Sequence, residues 1–267
     1  MDDRLTVFTV ANERYEPFAL PYAASVLHHN PNATVEIVLE QPDRFAEQNA
    51  DALALLADTF PDGLLFTSAD FSAFRNPHVM RYLLQPRSCN QHVYIGDIDI
   101  MVLEEIAPAH LAHMERTGLP FSNIIRPNQD RMGGLHFSEW AAFYPQPEIT
   151  GGDLLSRAEH CLYALIKKKG RGLPDRADTF RPIHGYHMTL SRPPHAVIGG
   201  WGATLDPDLL QAYLRLRGMP IWHSLVPLLD RRYRQLLTIL DAGLSAYFRK
   251  KIEPMPGTFP RDWWLAD

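Results

Sequence analysis

HVYIGDIDIMVLEEI, residues 92–106, sets apolar runs on both sides of two aspartates, Asp97 and Asp99. The first four residues read as a buried strand, and Ile100 to Leu103 resume the apolar pattern. Carboxylates inside such a run are costly to bury unless they meet a cation, several donors, or solvent at a strand end. On an extended chain, side chains two residues apart point the same way, so at a strand terminus the pair converges on one ion. Hard oxygen ligands of this kind suit magnesium or manganese, which also bridge the phosphates of a nucleotide diphosphate. The plain alternative is a solvated acidic turn with Gly96 at the bend; the apolar flanks count against it.

Working towards the N-terminus, Leu5 to Val10 is a short β-rich run, followed by Phe18, Tyr22, Val26 and Leu27 at helical spacing up to the Pro-Asn at 31–32. Residues 34–39 alternate as a second strand, and residues 45–56 predict a second helix. A further strand over 63–67 and a helix over 77–84 lead into the aspartate strand. This succession of strands and helices predicts an α/β fold with a mostly parallel central sheet flanked by helices. In such sheets ligands bind at the carboxyl ends of the strands, where Asp97 and Asp99 fall.

Towards the C-terminus, the pattern predicts a helix over 108–117, strands over 121–125 and near 133–137, and a helix over 153–168 closed by Lys167, Lys168, Lys169 and Gly170. Pro182-Ile183-His184-Gly185-Tyr186-His187 then places two histidines three apart between Arg181 and Arg192, either of which could add an imidazole to a metal site. The reading in which one is packed and the other exposed stands beside it. After Gly202 the composition shifts, giving two expected regions, 1–202 and a helical C-terminal extension over 203–267, with helices over 207–217 and 222–251. The second of these helices is amphipathic and carries Arg231, Arg232, Arg234, Arg249, Lys250 and Lys251, with Trp263 and Trp264 beyond it. That pattern fits either peripheral contact with an anionic membrane or packing on the first region.

Composition bounds the function. The chain of 267 residues, 46% hydrophobic and 21% charged, can bury a substantial core, and its net charge of -5 argues against a nucleic-acid partner. Its two cysteines, Cys89 and Cys161, lack zinc spacing, and no glycine-rich phosphate fingerprint or His-Glu-x-x-His pattern occurs. The acidic N-terminus and the lack of a roughly 20-residue apolar run point to a cytoplasmic protein, or one resting on the cytoplasmic face of a membrane.

Three segments, in order, carry a family resemblance: TVFTVANERYEPFALPYAASVLHHNPNATVEIVLE (6–40), MRYLLQPR (80–87) with VYIGDIDIMVLEEI (93–106), and HGYHMTLSRPP (184–194). Together they resemble the GT-A glycosyltransferases, most closely those around family 8, which includes retaining galactosyl- and glucosyltransferases of bacterial surface glycans and the glycogenins. The resemblance implies a GT-A fold and transfer of a hexose from a nucleotide-diphosphate sugar, UDP-linked in that family, to a glycan or lipid-linked acceptor. It implies Mn2+ or Mg2+ held by Asp97, Asp99 and one of His187 or His184. Ala11, Asn12 and Tyr15 would surround the nucleotide, with Arg81 and Arg192 on the diphosphate or sugar. Asp153, after Gly151-Gly152, is the candidate base for an inverting reaction and equally a helix cap; Asp130 and His136 are further acceptor-side candidates. NIIRPNQDRMGGLHF (123–137) departs from the family's Asn-Ser-Gly strand, leaving acceptor and stereochemistry open. A metal-dependent nucleotidyltransferase and an inactive glycan-binding GT-A domain are the competing readings.

Overall fold

A computed structural model describes residues 5–74, 76–127, 129–149, 157–188 and 207–248, with side chains in the last helix described through Asp241. Its centre is a six-stranded sheet. Strand β1 (Leu5–Ala11) pairs in parallel with β2 (Ala33–Leu39) on one side and β4 (His92–Ile95) on the other, and β2 pairs in parallel with β3 (Leu64–Ser68). The remaining strands, β6 (Phe121–Ser122) and β7 (His136–Glu139), run antiparallel, β7 lying between β4 and β6. The order β3-β2-β1-β4-β7-β6 is therefore a mixed sheet with a parallel half and an antiparallel edge. A separate two-stranded antiparallel sheet joins β5 (Ile100–Val102) to β8 (Gly185–His187).

The strands read as nearly continuous apolar runs because both faces are covered. Alternate residues go to opposite cores: Leu5, Val7 and Ala11 of β1, with Val35 and Ile37 of β2, enter one cluster, while Phe8 and Val38 enter the other. The first cluster is closed by α1 (Ala19–His29) and α3 (Ala50–Thr59) and contains Tyr213, Trp222, Tyr233 and Leu237 from the C-terminal helices. The second is closed by α4 (Pro77–Leu83) and α7 (Ala158–Lys169). The result is the α/β architecture expected from the sequence, with helices on both faces and a helical C-terminal region.

Several boundaries differ, each for a local reason. The single helix expected over 45–56 is two, α2 (Pro42–Gln48) and α3, because the Asn49 side chain donates to the Phe45 carbonyl at 2.8 Å and its backbone leaves the helical region. Phe121–Ser122 is shorter than the strand expected over 121–125; Asn123 instead turns inward, its amide donating to the Gly133 and Leu135 carbonyls. The C-terminal helix expected over 222–251 is broken at Pro227 and Asp230 into α9 (Pro220–Leu225) and α10 (Arg231–Phe248), after α8 (Pro207–Arg217). In α10, Tyr233, Leu236, Leu237 and Leu240 are buried in the first core, so the apolar face of this helix packs on the protein. No helix among the described residues is long and apolar enough to cross a membrane.

One buried charge escaped the sequence reading. Glu36, in the middle of β2, is 1% exposed. Its carboxylate accepts from the Arg87 and Ser88 backbone N–H groups at 2.9 and 2.8 Å and from the Ser88 hydroxyl at 2.9 Å. A buried carboxylate is tolerated when donors saturate it. Here it ties down the loop that delivers β4, and therefore the aspartates, to the sheet.

Candidate functional site

The site forms where β4 ends. Asp97 and Asp99 do not lie on an extended strand, as the sequence suggested; they sit in the tight connection to β5, with the Ile100 N–H donating to the Asp97 carbonyl at 3.3 Å. Ile98, between them, turns into the core, which supplies the apolar continuity that resembled a single strand. Gly96 permits the turn: a Cβ there would stand 2.8 Å from the Tyr22 hydroxyl and from the Tyr94 ring. The Gly96 carbonyl is held by the Thr9 hydroxyl at 3.0 Å and by Arg81 Nη1 at 3.3 Å.

The small sheet brings the second half of the site. Ile100 stands opposite His187, and the Met188 N–H donates to the Asp99 carbonyl at 2.7 Å. A Cβ on Gly185 would lie 1.8 Å from the Met101 carbonyl oxygen, so only glycine lets the two strands approach this closely. In this register His187 faces both aspartates: Nε2 is 4.0 Å from Asp97 Oδ2, and Nδ1 is 3.6 Å from Asp99 Oδ1. At 3.6 Å the latter is an electrostatic contact rather than a hydrogen bond, and Nδ1 is buried with no hydrogen-bond partner.

Arg81 completes the centre. It is buried on α4, a helix started by Pro77 and capped by the Asn76 side chain, which accepts from the His78 N–H at 3.0 Å. Its guanidinium forms a close ion pair with Asp97 Oδ1. Burial, the largest influence, would raise the Asp97 pKa, and Asp99 adds to it; the charge and hydrogen bond of Arg81 together with His187 outweigh both, and the carboxyl ends below the ordinary aspartate value. Asp97 is thus ionised at neutral pH. Arg81 is pushed the other way: its burial disfavours the charge, but Asp97 and Tyr82 together more than offset this and the guanidinium stays protonated.

Two hydroxyls nearby went unnoticed in the sequence. Tyr22 and Tyr94 are both buried, and neither hydroxyl has a hydrogen-bond partner. Burial, reinforced for Tyr22 by the negative charge of Asp97, raises its pKa and keeps it a donor.

The other histidine is used differently. His184, at φ +63°, turns away from the aspartates. Its Nδ1 lies 2.8 Å from Glu104 Oε1 and its Nε2 2.9 Å from His110 Nε2, while His110 Nδ1 is 2.7 Å from the Ser122 hydroxyl. Both ring nitrogens of His184 are therefore engaged, and of the two candidate histidines only His187 stands beside Asp97 and Asp99. His136 is likewise internal, packed on Phe143, with its pKa lowered by burial to about 3.

The chemistry of the donor set fits a divalent cation: two ionisable aspartates and an imidazole with a buried, unpartnered nitrogen are hard and borderline ligands for Mg2+ or Mn2+. Among the described residues, however, no three His, Cys, Asp or Glu side chains already stand gathered as a metal-binding group.

At the carboxyl ends of β1 and β2 an open cavity of about 490 Å³ is lined by Asn12, Glu13, Arg14, Glu40 and Arg232. Asn12 was expected at a nucleotide; Arg14, Glu40 and Arg232 were not singled out for it, because only tertiary packing brings α10 to this edge. Ala11 is buried at the end of β1, and Tyr15 is half-buried, its ring 5.9 Å from Phe18 and 6.0 Å from His78. Asp130 is exposed and paired with Arg176 at 2.6 Å, away from these groups. Asp153 and Arg192 lie outside the described residues, as do Arg249, Lys250, Lys251, Trp263 and Trp264.

No family model matches the chain, and no curated protein matches it in sequence. Several solved glycosyltransferases are distantly similar in structure. The galactosyltransferase LgtC, in complex with donor and acceptor sugar analogues, aligns over 82% of this chain and 99% of its own at 13% identity and a TM-score of 0.42. The mannosyltransferase PcManGT from Pyrobaculum calidifontis, in complex with GDP-Man and Mn2+, aligns over 98% and 78% at 15% identity and 0.46. The glycosyltransferase GlyE of Streptococcus pneumoniae TIGR4 aligns over 94% and 65% at 10% identity and 0.40. The chain spans 57% of the length of an active-site mutant of LgtC and 43% of S. aureus TarS. These likenesses concern overall arrangement, do not single out family 8, and leave the chemistry to this chain's own residues.

Proposed function

We propose that this chain is a metal-dependent glycosyltransferase that moves a hexose from a nucleotide-diphosphate sugar to a glycan or glycolipid acceptor. The observation that supports the reading is the approach of His187 to within 4.0 Å of Asp97 and 3.6 Å of Asp99 at the carboxyl end of β4, beside the buried cation of Arg81, an arrangement that a bound cation would draw together. Asp97, Asp99 and His187 would hold Mn2+ or Mg2+; the hydrogen bonds of His184 to Glu104 and His110 favour His187 over it. When bound, the cation neutralises the charge that develops on a departing diphosphate.

The protein's own groups prepare the site for that task. Arg81 keeps Asp97 ionised and fixes its carboxylate on one side of the turn. The Tyr22 and Tyr94 hydroxyls offer neutral donors at the same turn. Asn12 and Tyr15, at the end of β1, would meet the nucleotide, with Arg192 on the diphosphate. The sequence of residues 80–106 resembles family 8, which includes retaining enzymes; Asp153 is the candidate base if the reaction inverts. A cytoplasmic enzyme in peripheral membrane contact through the C-terminal region, 203–267, is part of the same reading.

Calorimetric titration of nucleotide sugars with and without Mn2+ tests it. Binding should depend on the metal and be lost in an Asp97→Asn/Asp99→Asn variant. Equal affinity with and without metal, undiminished in that variant, overturns the proposal. Release of pyrophosphate from a nucleoside triphosphate would instead identify a nucleotidyltransferase.

A further inference from the structure

The cavity at the ends of β1 and β2 has an unusual wall for a nucleotide site: it mixes carboxylates, guanidiniums and an amide, and α10 supplies one of the cations. We infer that it selects a guanine base, making the donor a guanosine-diphosphate sugar in place of the UDP-linked one that the family-8 resemblance implies; this rests on the nucleotide-sugar reading above.

The cavity wall and guanine offer complementary edges. Of the two carboxylates on the wall, Glu13 is taken up by Arg44, at 2.9 Å. Arg44 also holds Glu16, at 3.0 Å. Glu40, directly after β2, is exposed and makes no ion pair or hydrogen bond with a described side chain. A carboxylate is acceptor-only and accepts two parallel N–H groups well. Guanine offers such a pair, N1–H and the exocyclic N2–H. Uracil offers a single N3–H flanked by two carbonyl oxygens, which a carboxylate repels.

The opposite edge of guanine, O6 and N7, accepts from a guanidinium. Arg14 and Arg232 stand on the same wall. Asp230 grips Arg232 by Nε at 3.0 Å and Nη2 at 3.2 Å, so the guanidinium is oriented at the cavity before any ligand arrives. A held cation loses little freedom on binding. Asn12 Oδ1, buried on this wall without a partner, accepts a ribose hydroxyl. The cavity volume of about 490 Å³ lies within the roughly 300–1,000 Å³ of small-molecule sites.

Titration of GDP, IDP, UDP, CDP and ADP into the full chain with Mn2+ tests this directly. GDP should bind at least about tenfold more tightly than UDP, CDP or ADP, and IDP, which lacks the N2 amine, should fall between GDP and UDP. Glu40→Gln should bring the GDP and UDP affinities within about threefold of one another, and Arg232→Ala should weaken GDP more than UDP. UDP binding as tightly as GDP, or a GDP preference that survives Glu40→Gln, overturns the guanine assignment while leaving the nucleotide-sugar reading intact. If none of the five binds with Mn2+, that reading falls, and the inference with it.

Discussion

Two histidines three residues apart, one just before β8 and one at its end, are put to opposite uses. His184 is locked into a chain of hydrogen bonds from Glu104 through His110 to Ser122, with every ring nitrogen engaged. His187 lies against two carboxylates at 3.6 and 4.0 Å, with a buried nitrogen left unpartnered. Folding favours saturation, because an unpaired buried polar group costs roughly 1–3 kcal/mol. The first environment is what stability selects; the second withholds a partner that a ligand would supply. What separates them is backbone direction: at His184 the backbone is left-handed and the ring meets Glu104 and His110, while the regular pairing of His187 with Ile100 leaves its ring beside Asp97 and Asp99.

The strongest way to break this contrast is to prevent the small sheet from forming. Gly185→Ala places a methyl group 1.8 Å from the Met101 carbonyl oxygen. The expected loss is about 4 kcal/mol or more, read as a collapse of the urea midpoint together with loss of metal-dependent donor binding. A variant with an unchanged midpoint would show that the strands do not pair this closely.

A pair of substitutions sharpens it. His187→Ala should reduce transfer by at least about 100-fold while costing less than half the stability lost in His184→Ala. His184→Ala leaves His110 Nε2 without its partner and opens a cavity, with an expected loss of roughly 2–4 kcal/mol, followed by thermal denaturation. Reversal of these two patterns would exchange the roles assigned to the two rings.

Acid should distinguish the regions further. Burial holds His136 at about 3 and lowers His110 well below the ordinary histidine value of 6.5. Both rings are therefore neutral in the fold and protonate more readily in the unfolded chain. Their stabilising contribution is complete above about pH 6.5 and is lost as pH falls towards 3, with a slope of up to about 1.4 kcal/mol per pH unit for each ring. Urea unfolding between pH 7.5 and 5 should show this decline, and His136→Phe, which can still pack on Phe143, should make it shallower. The smallest effect is expected at the surface: Arg116 is 60% exposed, its 3.3 Å contact with Asp178 is screened, and Arg116→Ala should change stability by less than about 0.5 kcal/mol.

Much of the sheet was legible because each parallel strand carries its own evidence. Leu5–Ala11 is mostly apolar, Ala33–Leu39 sets Ala33, Val35, Ile37 and Leu39 on one face, and the helix between them has apolar residues at helical spacing. The antiparallel edge was less legible: Phe121–Ser122 and His136–Glu139 are short, and Asn123 ends the first by bonding to carbonyls ten and twelve residues away. Arg81 and Asp97 were both named from sequence, but as separate groups. Their ion pair, like the capture of Glu36 by the loop before β4, joins partners that no local pattern relates.

The order of strands and helices, and the exceptional position of Asp97 and Asp99 between apolar runs, were decided by residues close together in the chain, because periodicity and burial are local signals. The placement of His187 rather than His184 beside the two aspartates, the engagement of His110 by a residue 74 positions away, and the arrival of Arg232 beside Asn12 and Glu40 were decided only when the elements packed. Strand register and helix docking set those distances, and both depend on summed contacts across the whole molecule.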